Sequence, residues 1–112
     1  MYPRITLDCF GCSREKLTDF SLVFDALNRF PEKLGLSKLS PPYVFNFQGE
    51  KPEEAGLSGT VLIDGSHVTI NTFPEKGQAF IGIFSHKEIN PDFAASFMSS
   101  LFESKDHKVT IN

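Results

Sequence analysis

The sequence has no basic stretch. Its 11 Lys and Arg are outnumbered by 14 Asp and Glu, for a net charge of -3. A nucleic-acid interface carries a clustered Lys/Arg face, so none is expected here. The balance is compatible with a cationic ligand but does not argue for one. Apolar runs are short as well. No segment approaches the ~20 residues that a spanning helix needs. The opening stretch, Met1 to Phe10, is broken by Pro3, Arg4 and Asp8, so it does not read as a signal peptide. The expectation is a soluble cytoplasmic protein with no membrane partner. Cysteine is scarce too: Cys9 and Cys12 are the only two. A lone C-x-x-C is a redox pair, half of a zinc site, or two small side chains near a strand end. A structural zinc site needs four ligands, and His67, His86 and His107 have no ligand spacing. No metal is therefore expected.

What the chain does have is apolar bulk. Of 112 residues, 40% are hydrophobic and 12 are Phe. That suits one domain over residues 1–112, near the small end of independent stability, where oligomerisation would help.

Arg4 to Phe10 alternate, with Ile5, Leu7 and Cys9 on one face, and predict a strand. From Ser13 to Phe30 the period becomes helical, with Ser13 as N-cap and a stripe of Leu17, Phe20, Phe24 and Leu27 flanked by Val23 and Phe30. Pro31 is expected to end or bend this helix, and Gly35 supports a stop nearby. Residues 36–42 read as a loop and Tyr43 to Phe47 as a short strand. Gln48 to Gly56 is polar and reads as a surface loop or a lid. Gly59 to Ile63, Ser66 to Phe73 and Gln78 to Ser85 form a meander, joined by Asp64-Gly65 and by Pro74 to Gly77. Asn90-Pro91-Asp92 opens a second helix whose stripe is Phe93, Phe97, Met98 and Leu101. Lys108 to Asn112 closes as a strand. The order β-α-β-β-β-β-α-β predicts an α+β fold: a two-layer αβ sandwich, with an antiparallel sheet and two helices on one face. The other face is left for a second copy to cover.

The chemistry points to the turn Asp64-Gly65-Ser66-His67. A serine after glycine in a tight hairpin holds its hydroxyl close to the preceding carbonyl. That permits an N-to-O acyl shift, β-elimination, and hydrolysis to a pyruvoyl group, although Gly-Ser in a turn is common. The wider string narrows this. Leu57-Ser58-Gly59, then Gly65-Ser66-His67-Val68-Thr69-Ile70-Asn71-Thr72-Phe73-Pro74-Glu75, then the strand ending at His86, resembles the bacterial S-adenosylmethionine decarboxylase family. That family reads Ser-Gly, then Glu-Ser-His-x-x-Ile-His-Thr-Trp-Pro-Glu, then an apolar strand ending in Cys. The first strand with Asp8, Cys12 and Arg14-Glu15 is similar too.

The resemblance implies an αβ sandwich, a homodimer, and spermidine biosynthesis. It assigns Ser66 as the source of the pyruvoyl cofactor, which forms a Schiff base with the substrate amine and draws electrons for CO2 loss. It assigns Ser58 to self-processing, Glu75 to the substrate ribose, and Asp8 to the substrate end of the first strand. Phe73 stands for the family Trp and offers a face to adenine or sulfonium. His67 follows the reactive serine and joins the substrate-binding set. Four further positions depart from the pattern. Asn71 replaces the processing histidine and has no basic lone pair. His86 replaces the proton-donating cysteine; it can act as a general acid, or as the missing base if positions 71 and 86 face one site. Gly65 replaces Glu, and Gly82 replaces an acid whose role is unassigned. Three functions follow: a working decarboxylase of S-adenosylmethionine, a pyruvoyl decarboxylase of a basic amino acid, and a non-catalytic homologue that binds a nucleoside or regulates a partner.

Overall fold

The structure, a computed structural model, describes residues 4–112. Six strands form one antiparallel sheet: β1 (Arg4–Phe10), β2 (Tyr43–Phe47), β3 (Gly56–Ile63), β4 (Ser66–Phe73), β5 (Gln78–Phe84) and β6 (Asp106–Ile111). Their order across the sheet is β2-β3-β4-β5-β1-β6. Three helices, α1 (Arg14–Leu17), α2 (Phe20–Lys33) and α3 (Pro91–Leu101), join the sheet's buried face in a single apolar core. The α+β sandwich read from the sequence is the observed architecture, with the first helix split in two.

Strand alternation does the sorting. Ile5, Leu7, Cys9, Leu57, Val61, Ile63, Val68, Ile70, Ala79, Ile81 and Ile83 point toward the helices and are buried. The alternate positions point to the open face. There Tyr43, Phe45, Leu62, Phe80 and Phe84 stay exposed, Phe45 to 61%.

The first helix breaks at Thr18-Asp19. Thr18 Oγ1 donates to the carbonyls of Arg14 and Glu15 at 3.1 Å and draws the chain out of the helical path. Asp19 then caps α2 by accepting from the Leu22 N–H at 3.1 Å. Ser13 caps α1 as expected, accepting from the Lys16 N–H at 3.3 Å. Pro31 does not end α2, which runs on to Lys33 with the proline ring buried. A proline in the last turn removes one helical hydrogen bond, and its apolar ring is useful in the core. The stop comes at Gly35, which takes a left-handed φ of 76°.

Two of the expected stripes are rotated. Phe20 and Phe93 are 43% and 39% exposed, whereas Ala26, Ala94 and Ala95 face the core. Alanines let α2 and α3 approach the sheet. Phe97 lies at the border, 5.0 Å from Phe30 between ring centroids. β3 begins three residues earlier than expected, at Gly56. A side chain there would put its Cβ 1.9 Å from the Thr72 carbonyl oxygen.

Buried Thr72 ties three elements together. Its hydroxyl accepts from the Leu57 N–H at 2.9 Å and donates to the Leu17 carbonyl at 2.8 Å. Thr72→Val keeps the shape and leaves both backbone groups without that partner. We expect a loss of about 2–4 kcal/mol in urea unfolding, whereas a loss below ~0.5 kcal/mol would show that the two bonds are dispensable.

Candidate active site

The residues picked out from the sequence fall into two groups, set by one strand. Ser66 opens β4 and Asn71 lies five residues along it, about 17 Å away. An odd spacing also puts them on opposite faces. Ser66 shares the helix-side parity of Val68 and Ile70, and Asn71 the open-face parity of His67 and Phe73.

The first group sits at the β3–β4 hairpin. Asp64 and Gly65 form a two-residue loop between paired Ile63 and Ser66, and Gly65 takes a φ of 73°. L side chains rarely adopt that value, which explains the glycine. Ser66 Oγ is buried and makes no hydrogen bond among the described residues. His86, just past β5, folds back onto this turn. A Cβ at residue 65 would lie 3.1 Å from His86 Nδ1 and 3.3 Å from its Cγ. The Asp64 carboxylate stands 4.0 Å from His86 Nε2. His67 points the other way, where its ring stacks on Phe84 at 5.5 Å between centroids. The Arg4 guanidinium lies 4.7 Å from the centroid of that Phe84 ring.

The second group lies on the open face. Ser58 Oγ donates to Asn71 Oδ1 at 2.7 Å across the β3–β4 ladder. Around this pair runs a chain of rings. Phe73 meets Phe80 at 5.2 Å and Phe47 at 6.1 Å, and the Lys76 ammonium stands 5.9 Å from the Phe73 centroid. Asp8 joins the same row, since Asn71 and Asp8 are the two register partners of Phe80. Within one chain, positions 71 and 86 therefore do not face a common site.

Glu75 belongs to a cleft beside this patch. The cleft has a volume of about 460 Å3 and is lined by Arg14, Asn46, Phe47, Gln48, Pro52 and Glu75, among others. Gln48, Pro52 and Ala55 form one wall, on a segment with a 3-10 turn at Pro52–Glu54. Arg14 and Glu75 meet at 2.8 Å. The guanidinium holds the Glu75 carboxyl below the usual carboxylate range, by hydrogen bonding first and by charge second.

The cysteines take the bland role. Burial, followed by the charge of Cys9, pushes the Cys12 thiol up to about 11; burial also raises Cys9. Such thiols are poor nucleophiles at neutral pH. Among the described residues, no group of three or more His, Cys, Asp or Glu could hold a metal ion. No helix among them is long and apolar enough to cross a membrane.

Sequence reasoning gave no role to Arg14, Asp64, Phe47 or Phe80. Arg14 and Glu75 are 61 positions apart, so only the fold reveals the pair. Phe80 was legible in principle, because its alternation with Ala79 and Ile81 assigns it to the open face.

Known proteins agree with this architecture. A solved adenosylmethionine decarboxylase from Aquifex aeolicus VF5 superposes with a TM-score of 0.80 at 21% identity, covering 98% of this chain and 87% of that one. A likeness at that identity concerns the fold. S-adenosylmethionine decarboxylase proenzymes carry the sequence relationship. That of Thermodesulfovibrio yellowstonii is 33% identical over 102 residues, covering 90% of this chain and 71% of the relative. That of Geobacillus kaustophilus is 29% identical over 101 residues, covering 90% and 77%. The S-adenosylmethionine decarboxylase family model matches residues 3–112, and on that match, with the shared sheet and helices behind it, the chain belongs to the S-adenosylmethionine decarboxylase family.

Proposed function

We propose that this chain is a pyruvoyl-dependent decarboxylase of S-adenosylmethionine, acting in spermidine biosynthesis, that cleaves itself between Gly65 and Ser66. One observation carries the reading. Ser66 Oγ is buried and unbonded among the described residues, beside a glycine at a φ of 73°. A buried hydroxyl without a partner is costly and calls for an explanation, of which a reactive role is one. A pyruvoyl group at position 66 suits these residues, because a serine hydroxyl there follows directly on the Gly65 carbonyl that it would attack. When formed, that group supplies the electron sink for CO2 loss from an amine-bearing substrate.

The chain's own side chains would bind and orient. Phe73, Phe80 and Phe47 offer ring faces to an adenine or a sulfonium, and Lys76 already takes a cation's place over Phe73. An ionised Glu75 would accept hydrogen bonds from a ribose diol at the mouth of the cleft, with Arg14 keeping it ionised. Asp8 lies on the same face to meet a cationic end. The exposed Phe45, Tyr43, Leu62, Phe80 and Phe84 give a second copy an apolar surface to cover, which makes a homodimer in the cytoplasm the proposed state.

A non-catalytic reading rests on a different observation. Asn71, with its amide engaged by Ser58, stands where the family has a base. A chain of that kind would bind a nucleoside or regulate a partner without processing. A basic-amino-acid decarboxylase would need ornithine or arginine to bind instead.

Thermal unfolding separates the three. At 100 times its Kd, a ligand adds about 2.7 kcal/mol, roughly 10 °C for a domain of this size. S-adenosylmethionine should raise Tm, and ornithine and arginine should not. CO2 release should accompany binding and vanish in Ser66→Ala. Binding without CO2 release selects the non-catalytic reading; a Tm response to ornithine or arginine alone sinks the proposal. Separately, Arg14→Ala should move the Glu75 titration up toward an ordinary carboxylate, read by carboxyl 13C shifts. An unmoved titration would remove Arg14 as its cause.

A further inference from the structure

Two departures from the family pattern meet in space. The family has Glu where this chain has Gly65, and Cys where it has His86. The two positions are in contact: a Cβ at residue 65 would lie 3.1 Å from His86 Nδ1 and 3.3 Å from Cγ, tighter than ordinary contact. The imidazole occupies the space that a side chain at 65 would claim. Gly65 is thus needed twice, once for its φ of 73° and once to admit the ring.

The result is a constellation within a single chain. Asp64, Gly65 and Ser66 are consecutive at the hairpin tip. His86 lies against the Gly65 end of the Gly65–Ser66 peptide, and the Asp64 carboxylate is 4.0 Å from its far nitrogen, Nε2. Carboxylate, imidazole and hydroxyl, the parts of an activated-serine site, are thus gathered at one hairpin, with Ser66 Oγ making no hydrogen bond among the described residues. Asn71 is not among them, being about 17 Å along β4 from Ser66 and on the other face.

We propose that His86, oriented by Asp64, is the base for self-cleavage at Gly65–Ser66, in place of the histidine that this chain lacks at position 71. The proposal rests on the reading of the chain as self-cleaving. Ser66 Oγ attacks the Gly65 carbonyl carbon while His86 takes the hydroxyl proton and returns it to the Ser66 nitrogen. The Gly65–Ser66 C–N bond breaks and an ester joins Gly65 to Ser66 Oγ, leaving Ser66 with a free amine. His86 next removes the Ser66 Cα proton as the bond from Cβ to the ester oxygen breaks. The Gly65 carboxylate leaves, and residue 66 becomes dehydroalanine. Water then replaces the nitrogen, which departs as ammonia, and residue 66 carries a ketone. No oxidant or reductant is consumed.

Asp64 is the charged group that faces the ring from the hairpin. Lys87 and Glu88, next in the chain, are exposed.

The test follows freshly synthesised full-length chain by intact mass over time and pH. The wild-type rate should rise with pH and level off once the imidazole is neutral. His86→Gln should cut at least ~100-fold more slowly. His86→Ala should regain cleavage when imidazole is added, which a merely structural histidine would not allow. His86→Gln cutting at the wild-type rate overturns the proposal and leaves the self-cleavage reading standing. A flat wild-type pH profile, together with no rescue by imidazole, also overturns it. A wild-type chain that never cuts overturns the proposal and that reading together.

Discussion

The antiparallel ladder of β3, β4 and β5 is the constraint on which the rest depends. Ser58 pairs with Asn71, Ile63 with Ser66, and Asn71 with Phe80, with no slip along β4. One register decides which side chains enter the core, which rings meet on the open face, and how far Ser66 lies from position 71. Slipping it by one residue would exchange the faces, exposing Val68 and Ile70 and burying His67 and Asn71. Thr72 holds the far end of the ladder against α1, and Gly56 lets β3 approach the Thr72 backbone closely.

That distance reshapes the chemistry. The polar cluster at the hairpin and the aromatic patch with its carboxylates are separate units, joined only through the strand. Asn71, hydrogen-bonded by Ser58, belongs to the open face and not to the hairpin of Ser66. Substitutions that look like scattered losses in the sequence divide in the same way. Asn71 changes the open face, whereas Gly65 and His86 change the hairpin jointly, because one makes room for the other. Such contact is what allows a bulky imidazole where a small thiol is usual.

Much of this was legible in the sequence. Asp64-Gly65 between apolar runs fixed the hairpin, and Asn90-Pro91-Asp92 fixed the start of α3, because turn and cap chemistry is local. The break between α1 and α2 was not seen. The apolar stripe runs through Thr18-Asp19, and the hydroxyl back-bonds that interrupt it depend on rotamers. Phe20 and Phe93 were assigned to the core by size alone, whereas close helix–sheet approach favoured the alanines beside them. The opposite facing of Ser66 and Asn71 was readable as well, since five steps along a strand cannot share a face. By contrast, His86 against Gly65 and Arg14 against Glu75 arise from folding distant segments together, and no spacing encodes them.

The central claim is that the serine and its base lie in one chain. A mixed-chain experiment addresses it most directly. A Ser66→Ala chain, which keeps His86 but cannot cut itself, is co-expressed with a size-tagged His86→Gln chain, which keeps Ser66. A wild-type chain in a parallel culture reports competence for cleavage, and intact masses are read after joint purification. The account predicts that the wild-type chain is cut and the His86→Gln chain stays whole beside its partner. A His86→Gln chain cut in the presence of the Ser66→Ala chain would show that the base comes from another copy and would contradict the account.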